Sequence, residues 1–250
     1  MFSFSAQPAA GINGSVWERL SSGNANGAAA AVPINLEGSI MKNKIIITIG
    51  RQFGSGGREI GKKLADRLHI PFYDRELLEM AAKESGMSEE LLSDFDEKAT
   101  NSILYSLAIG SYAMGSHVSG VPEMPMNDKV FLFQSDVIKE VAKSSCVLVG
   151  RCADYVLRDD PACLNLFLHA PKEIRVERVA RLYQLDDRKA EEKIRKTDKK
   201  RANYYNFYSG RKWGQVENYH VAVDTSLIGI DGTVDLLESF ARLKDAKQEG

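Results

Sequence analysis

Apolar and polar positions fall into two regimes along this chain. Residues 1–40 are rich in Ala, Gly, Ser and Asn, carry only Glu18, Arg19 and Glu37 as charges, and show no sustained period. Such a stretch cannot bury enough apolar surface to offset its ordering, so a disordered tail is expected there. The apolar run at 28–32 is shorter than a signal-peptide core and follows no basic segment. Met41, directly before a strong strand pattern, reads as an alternative start of translation, with a cleaved targeting peptide as the rival reading.

From residue 44 the pattern turns regular. Ile45, Ile46, Ile47, Thr48 and Ile49 form a β-branched run closed by Gly50, which predicts a strand buried on both faces. A glycine-rich loop follows. Ile60, Leu64 and Leu68 then recur at spacings of four among Lys62, Lys63, Asp66 and Arg67, the stripe of an amphipathic helix. Residues 71–73 predict a short strand ending at Asp74. Residues 75–85 predict a helix that Gly86 stops, and Ser88-Glu89-Glu90 opens another. Residues 99–128, interrupted by Gly110, Gly115, Gly120, Pro122 and Pro125, predict a mobile segment with at most one short helix. Helical spacing returns over 129–143, 172–182, 187–205 and 232–243, with strands at 146–149, 164–168 and 219–223. Strands alternating with helices require a parallel sheet covered on both faces, so 41–250 is expected to form one α/β domain.

Composition narrows the class. The 250 residues are 44% hydrophobic and 27% charged, and the length suits a domain of about 200 residues with an appendage. With 33 Lys+Arg against 34 Asp+Glu, the net charge of −1 supplies no large basic field for nucleic acid. Cys146, Cys152 and Cys163 are too few for a disulfide scaffold, and their odd number fits a reducing cytoplasm. No apolar run approaches the roughly 18–20 residues that cross a bilayer. A membrane protein, a secreted mini-domain and a repeat chain are thereby excluded. His69, His117, His169 and His220 lack ligand spacing, so no protein-bound metal site is expected.

The candidate chemistry lies in the loop Gly50-Arg51-Gln52-Phe53-Gly54-Ser55-Gly56-Gly57-Arg58. A strand, glycines and a helix start together make an anion site, because backbone N–H groups converge where the helix dipole is positive. The common nucleotide-binding form is G-x-x-x-x-G-K-[ST]. Here Gly57 takes the lysine position and Arg58 the hydroxyl position, and the first glycine is displaced by one residue. A dinucleotide loop fails, since Gly50, Gly54 and Gly57 do not fall on G-x-G-x-x-G. A tight turn without ligand is the alternative, but four glycines in eight residues exceed what a turn needs.

Four segments occur in order: Gly50–Gly61 (GRQFGSGGREIG), Phe72–Leu78 (FYDRELL), Val149–Tyr155 (VGRCADY) and Asp198–Tyr205 (DKKRANYY). Together they resemble the cytidylate kinase-like family, a branch of the P-loop nucleoside monophosphate kinases, over roughly residues 43–243. The resemblance implies a three-layer α/β fold of P-loop NTPase type, with a five-stranded parallel sheet, a helical acceptor region after the second strand and an arginine-rich lid at about 184–212. It implies ATP and Mg²⁺ as donor and cofactor, nucleotide substrates, neither nucleic acid nor membrane as partner, and a monomer or homodimer in the cytoplasm.

Residue by residue, the resemblance assigns ATP to Gly50, Arg51, Gln52, Phe53, Gly54, Ser55, Gly56, Gly57 and Arg58. It assigns the acceptor to Asp74, Arg75, Arg151, Asp154 and Asp198, and the closing charge to Arg181, Arg188, Arg195 and Arg201 beside Arg58. Cys152 stands where bacterial cytidylate kinases have the aspartate that helps recognise the acceptor nucleoside, and Asp154 is the nearest substitute. As a small packing residue Cys152 is more ordinary than as a nucleophile. Arg188, Arg195 and Lys199 share a helix face, as a lid needs, although a solvated face laced by pairs such as Glu192–Lys196 has the same pattern. For the missing loop lysine, Arg58 is the first candidate, with Arg51 and Lys62 behind it. Arg58 is expected to fold over the phosphates while Mg²⁺ stays largely water-coordinated. The expected activity is phosphoryl transfer from ATP to CMP or dCMP. A different small acceptor and a weak nucleotide-binding regulator remain the alternatives.

Overall fold

The computed structural model describes residues 41–74 and 126–247. The expected tail at 1–40, the helices over 75–85 and after Ser88, most of the segment 99–128 and the candidate Arg75 lie outside the described residues.

The described elements are β1 (Ile46–Arg51), α1 (Gly57–Leu68), β2 (Phe72–Tyr73), α2 (Met126–Val141), β3 (Cys146–Val149), α3 (Ala153–Val156), β4 (Cys163–His169), α4 (Lys172–Tyr183), α5 (Asp187–Ser209), a 3₁₀ turn (Val216–Asn218), β5 (Val221–Asp224) and α6 (Gly229–Lys247). The strands form one parallel sheet in the order β2-β3-β1-β4-β5. β1 is central, pairing Ile46 with both Cys146 and Cys163.

Alternation along β1 explains why its β-branched run is continuous. Ile45, Ile47 and Ile49 pack on one face with Ile60 and Leu64 of α1 and Val234 and Leu237 of α6. Ile46 packs on the other with Val137 and Ile138 of α2 and Ala153 of α3. Each such side chain stabilises the fold by about 1.5–3 kcal/mol relative to exposure. Thr48, the polar interruption, is buried but satisfied, donating from Oγ1 to Asn165 Oδ1 at 2.7 Å. The result is the three-layer α/β arrangement that the sequence pattern predicts.

Element ends differ from the periodic reading where no apolar stripe marks them. α2 begins at Met126 rather than at 129, with Asp128 in its first turn where the helix dipole favours an acid. α5 continues past Tyr205 to Ser209 and stops at Gly210, whose φ of 66° ends it in the left-handed region. α3 is one turn long and carries too short a pattern to be read from sequence. α4 and α5 share a small core of Val179, Ala190 and Ile194, against which Phe53 of the glycine loop packs.

Candidate phosphate site

Strand order places the glycine loop. β1 lies between β3 and β4 although β2 follows it in the chain, so the carboxyl end of β1 is where connections diverge and a crevice opens. Gly50 sits there, and a Cβ on it would come within 2.9 Å of Phe167 Cδ2. Gly54 and Gly56 both adopt φ of 85°, which side chains resist, and Gly56 caps α1 without any side-chain acceptor. The first-turn N–H groups of α1 are thus left for an anion.

The loop is held rigidly from outside. Phe53 N–H donates to Asp198 Oδ1 at 2.7 Å, and Arg175 Nη1 contacts both Asp198 Oδ2 at 2.7 Å and Phe53 O at 3.3 Å. Arg201 Nη1 donates to Arg51 O at 3.1 Å, and Thr225 Oγ1 to Ser55 O at 2.7 Å. Ser55 Oγ itself donates to Gln52 O at 2.9 Å, inside the loop. Asp198, expected at the acceptor, therefore braces the loop, and Arg175 of α4 is a loop-holding residue that sequence spacing did not single out.

Charge gathers on the inner side. Asp74 is buried just beyond β2, with Arg58 Nε at 2.8 Å from its Oδ2 and Arg51 Nη2 at 3.4 Å from its Oδ1. Burial, together with Arg201, Arg151 and Arg58 nearby, holds the Arg51 guanidinium down at about 9, against the pull of Asp74. Burial also lowers Arg201. At about 9, Arg51 remains cationic at neutral pH. Guanidinium groups crowded together in this way favour an anion among them, and Asp74 is the one the protein supplies.

Two cavities meet at Arg51 and Arg201. One, of about 300 Å³, is lined by Gly50, Arg151, Cys152, Asp154, Tyr204 and Trp213, among others. The other, an open groove of about 790 Å³, runs along Gly54, Gly56, Gly57, Arg58, Lys62 and Asp74. Arg51 and Arg201 line both. A third, of about 200 Å³, lies between Gly54 and Ser55 of the loop, Arg178 and Arg181 of α4, and Thr225 and Ser226 after β5.

The turn after β3 aims Arg151 into the smaller cavity. Gly150, Arg151 and Cys152 have φ of 79°, 57° and 53°, and a left-handed conformation at a non-glycine residue costs about 1–2 kcal/mol. Asp154 is buried there and accepts from Tyr205 Oη at 2.7 Å. Desolvation raises its carboxyl above the usual range despite that bond. Cys152 is 3% exposed, and burial pushes its thiol far up, as for a packing residue.

The remaining arginines divide. Arg58 and Arg201 face the loop groove, Arg181 faces the third cavity, and Arg188 and Arg195 are exposed on α5 and line none of these three cavities. The aromatic wall of Tyr204, Tyr205, Trp213 and Tyr219 is brought to Gly50 by the return of α5 into β5. No local spacing signals that juxtaposition.

The groups described here do not make a magnesium site of their own. Arg58 occupies the hydroxyl position, Ser55 Oγ is committed to Gln52, and Asp74 already faces two guanidinium groups. Among the described residues, no group of three or more His, Cys, Asp or Glu is placed to hold a metal. Among the same residues, no helix is long and apolar enough to cross a membrane.

Residues 46–227 match the cytidylate kinase-like family. The chain is similar to the cytidylate kinase of Methanopyrus kandleri, with 26% identity over 196 residues, covering 78% of this chain and 92% of that protein. It is also similar to the crystal structure of an uncharacterized protein from Eubacterium ventriosum, with 29% identity and a TM-score of 0.58, covering 79% of this chain and 98% of the other.

Proposed function

This chain belongs to the cytidylate kinase-like family, and we propose that it transfers the γ-phosphoryl group of ATP to a nucleoside monophosphate, CMP or dCMP first among the acceptors. The observation that carries this reading is the pair Arg51 and Arg201, which lines both the loop groove and the aromatic cavity. A reaction between two phosphates needs two binding spaces that share their cations at the point of transfer.

The triphosphate lies along the groove, its terminal phosphates against the N-terminus of α1, Arg58 and Lys62. The acceptor enters the smaller cavity with its phosphate toward Arg151 and Arg201. Tyr204, Trp213 and Tyr219 offer faces for a flat base, and Asp154 offers a carboxylate for a donor on the base or sugar. An oxygen of the acceptor phosphate forms a bond to the γ-phosphorus while the bond to the β,γ-bridging oxygen breaks, and ADP leaves with that electron pair. The acceptor phosphate has a second pKa of about 6, so it is largely dianionic at neutral pH and needs no general base. The arginines neutralise charge on the transferring group, and no covalent enzyme intermediate forms.

Incubation with ATP·Mg²⁺ and a panel of monophosphates, followed by ADP release, tests the proposal. Turnover with CMP or dCMP is expected. Turnover only with another phosphorylated acceptor would move the assignment to that compound, and ATP binding without turnover on the whole panel would sink the kinase reading.

A further inference from the structure

We propose that Arg51 is the phosphate-gripping cation of the loop, standing in for the lysine that position 57 lacks. The proposal rests on the kinase reading above and names the residue that carries the charge at its centre.

Glycine at position 57 has a steric cause. A Cβ built there would lie 2.7 Å from Arg51 Cβ and 2.9 Å from Arg51 Cγ. Arg51 thus fills the space that a side chain at 57 would leave by, and the two positions cannot both carry a long side chain. The far end of Arg51 is fitted in the same way. A Cβ on Gly150 would lie 2.0 Å from Arg51 Nη1 and 3.0 Å from its Cζ, and Gly150 is held at φ of 79°. The arginine therefore lies in a trough floored by glycine at both ends, one from the loop and one from the turn after β3.

That trough delivers the guanidinium to the junction of the two cavities. Its 3.4 Å approach to Asp74 is longer than a good charge-assisted hydrogen bond, which leaves it poised for a better acceptor. Arg58 is placed differently. Its side chain is 65% exposed, it is tied through Nε to Asp74 at 2.8 Å, and it lines the loop groove but not the aromatic cavity. Arg58 can steady the donor, whereas Arg51 alone of the two reaches the place where donor and acceptor meet.

The experiment moves the charge back. Arg51→Ala is expected to lower kcat by about 10²–10³-fold, the loss typical of one preorganised donor. Arg51→Gly combined with Gly57→Lys, which removes the Arg51 Cβ and Cγ that crowd position 57 and restores a lysine at its customary position, is expected to be at least about tenfold more active than Arg51→Ala, as one regained charge contact should give. Gly57→Lys alone, with Arg51 still present, is expected to fall with Arg51→Ala. Arg51→Lys keeps a cation on the same stem, and circular dichroism of each variant separates lost folding from lost chemistry.

Turnover of folded Arg51→Ala within about threefold of wild type would overturn the proposal, since a donor at the transfer point is worth far more. So would a double variant no more active than Arg51→Ala. Calorimetric titration with inorganic tripolyphosphate, without acceptor or turnover, keeps the two readings apart. If wild type releases no ADP with any acceptor, the kinase reading fails, and a tripolyphosphate affinity lost in Arg51→Ala still supports Arg51 as the grip. An unchanged affinity in that variant, or no binding by wild type, overturns it.

Discussion

Asp198 on α5 accepts the backbone N–H of Phe53 at 2.7 Å, joining a helix to a loop 145 positions earlier in the chain. The same carboxylate meets Arg175 of α4 at 2.7 Å. Asp198→Ala strips the carboxylate from both partners and is expected to destabilise the protein by about 2–4 kcal/mol. Asp198→Asn keeps an acceptor for Phe53 and should fall between. Urea denaturation reads the stability, and the KM for ATP should rise in both variants as the loop loosens. An unchanged denaturation midpoint in Asp198→Ala would exclude the bracing role.

Gly150 combines a φ of 79° with an Arg51 guanidinium that occupies the space where a Cβ would stand. Gly150→Ala is expected to cost more than about 1 kcal/mol, because the new methyl group is both conformationally strained and in the path of the guanidinium. Its ADP release should fall in step with that of Arg51→Ala. Full activity with a lowered melting temperature would separate the strain from the displacement.

Asp154, proposed above to meet the acceptor, ties the stability of the protein to pH. Burial raises its folded pKa above the unfolded value of 3.8. The folded state then holds that proton more readily than the unfolded chain. Its stabilising contribution is complete below the unfolded value and declines as pH rises through the folded pKa. Asp154→Asn, neutral throughout, should gain stability relative to wild type as the pH is taken from 4 to 7, measured by denaturation midpoints. The same variant should raise the acceptor KM by about tenfold, the worth of one hydrogen bond to a charged group, with little change in the KM for ATP. A flat pH difference would mean that Asp154 is ionised at no cost.

Cys146, Cys152 and Cys163 are all buried, and burial pushes the thiols of Cys146 and Cys163 up to about 12 and that of Cys152 further. The native protein at pH 8 is expected to leave all three unreacted toward a disulfide reagent, and the urea-unfolded chain to expose them together. Rapid reaction of one thiol in the native state would reopen Cys152 as a reactive group.

Much of the site was legible in the chain itself. The loop at 50–58 marks a candidate anion site by its glycines, Asp74 stands out at a predicted strand end, and Arg151 is assigned by the family resemblance. The roles within the site were less legible. Arg58 was the first candidate for the missing charge because it is adjacent to the vacant position, but its exposure and its bond to Asp74 turn it toward the groove. Asp198 carried the right motif and proved to be satisfied by Phe53 and Arg175. Arg188 and Arg195 share a face with Lys199, yet that face is exposed and Arg188 and Arg195 line none of the three cavities, whereas Ala190, Ile194 and Asp198 of the same helix are the residues turned to the loop.

Local periodicity and β-branching determined the elements and their order, because a helix stripe or a doubly buried strand is written in neighbouring residues. The glycine loop was determined in the same way, by backbone freedom that no other residue supplies. Sheet order, the union of Arg51 with Arg201 and Asp74, and the bringing of Trp213 and Tyr219 to Gly50 were decided by the tertiary structure alone. Those contacts arise from how whole layers pack, and the reason that position 57 must be glycine is a side chain lying across it from the end of β1.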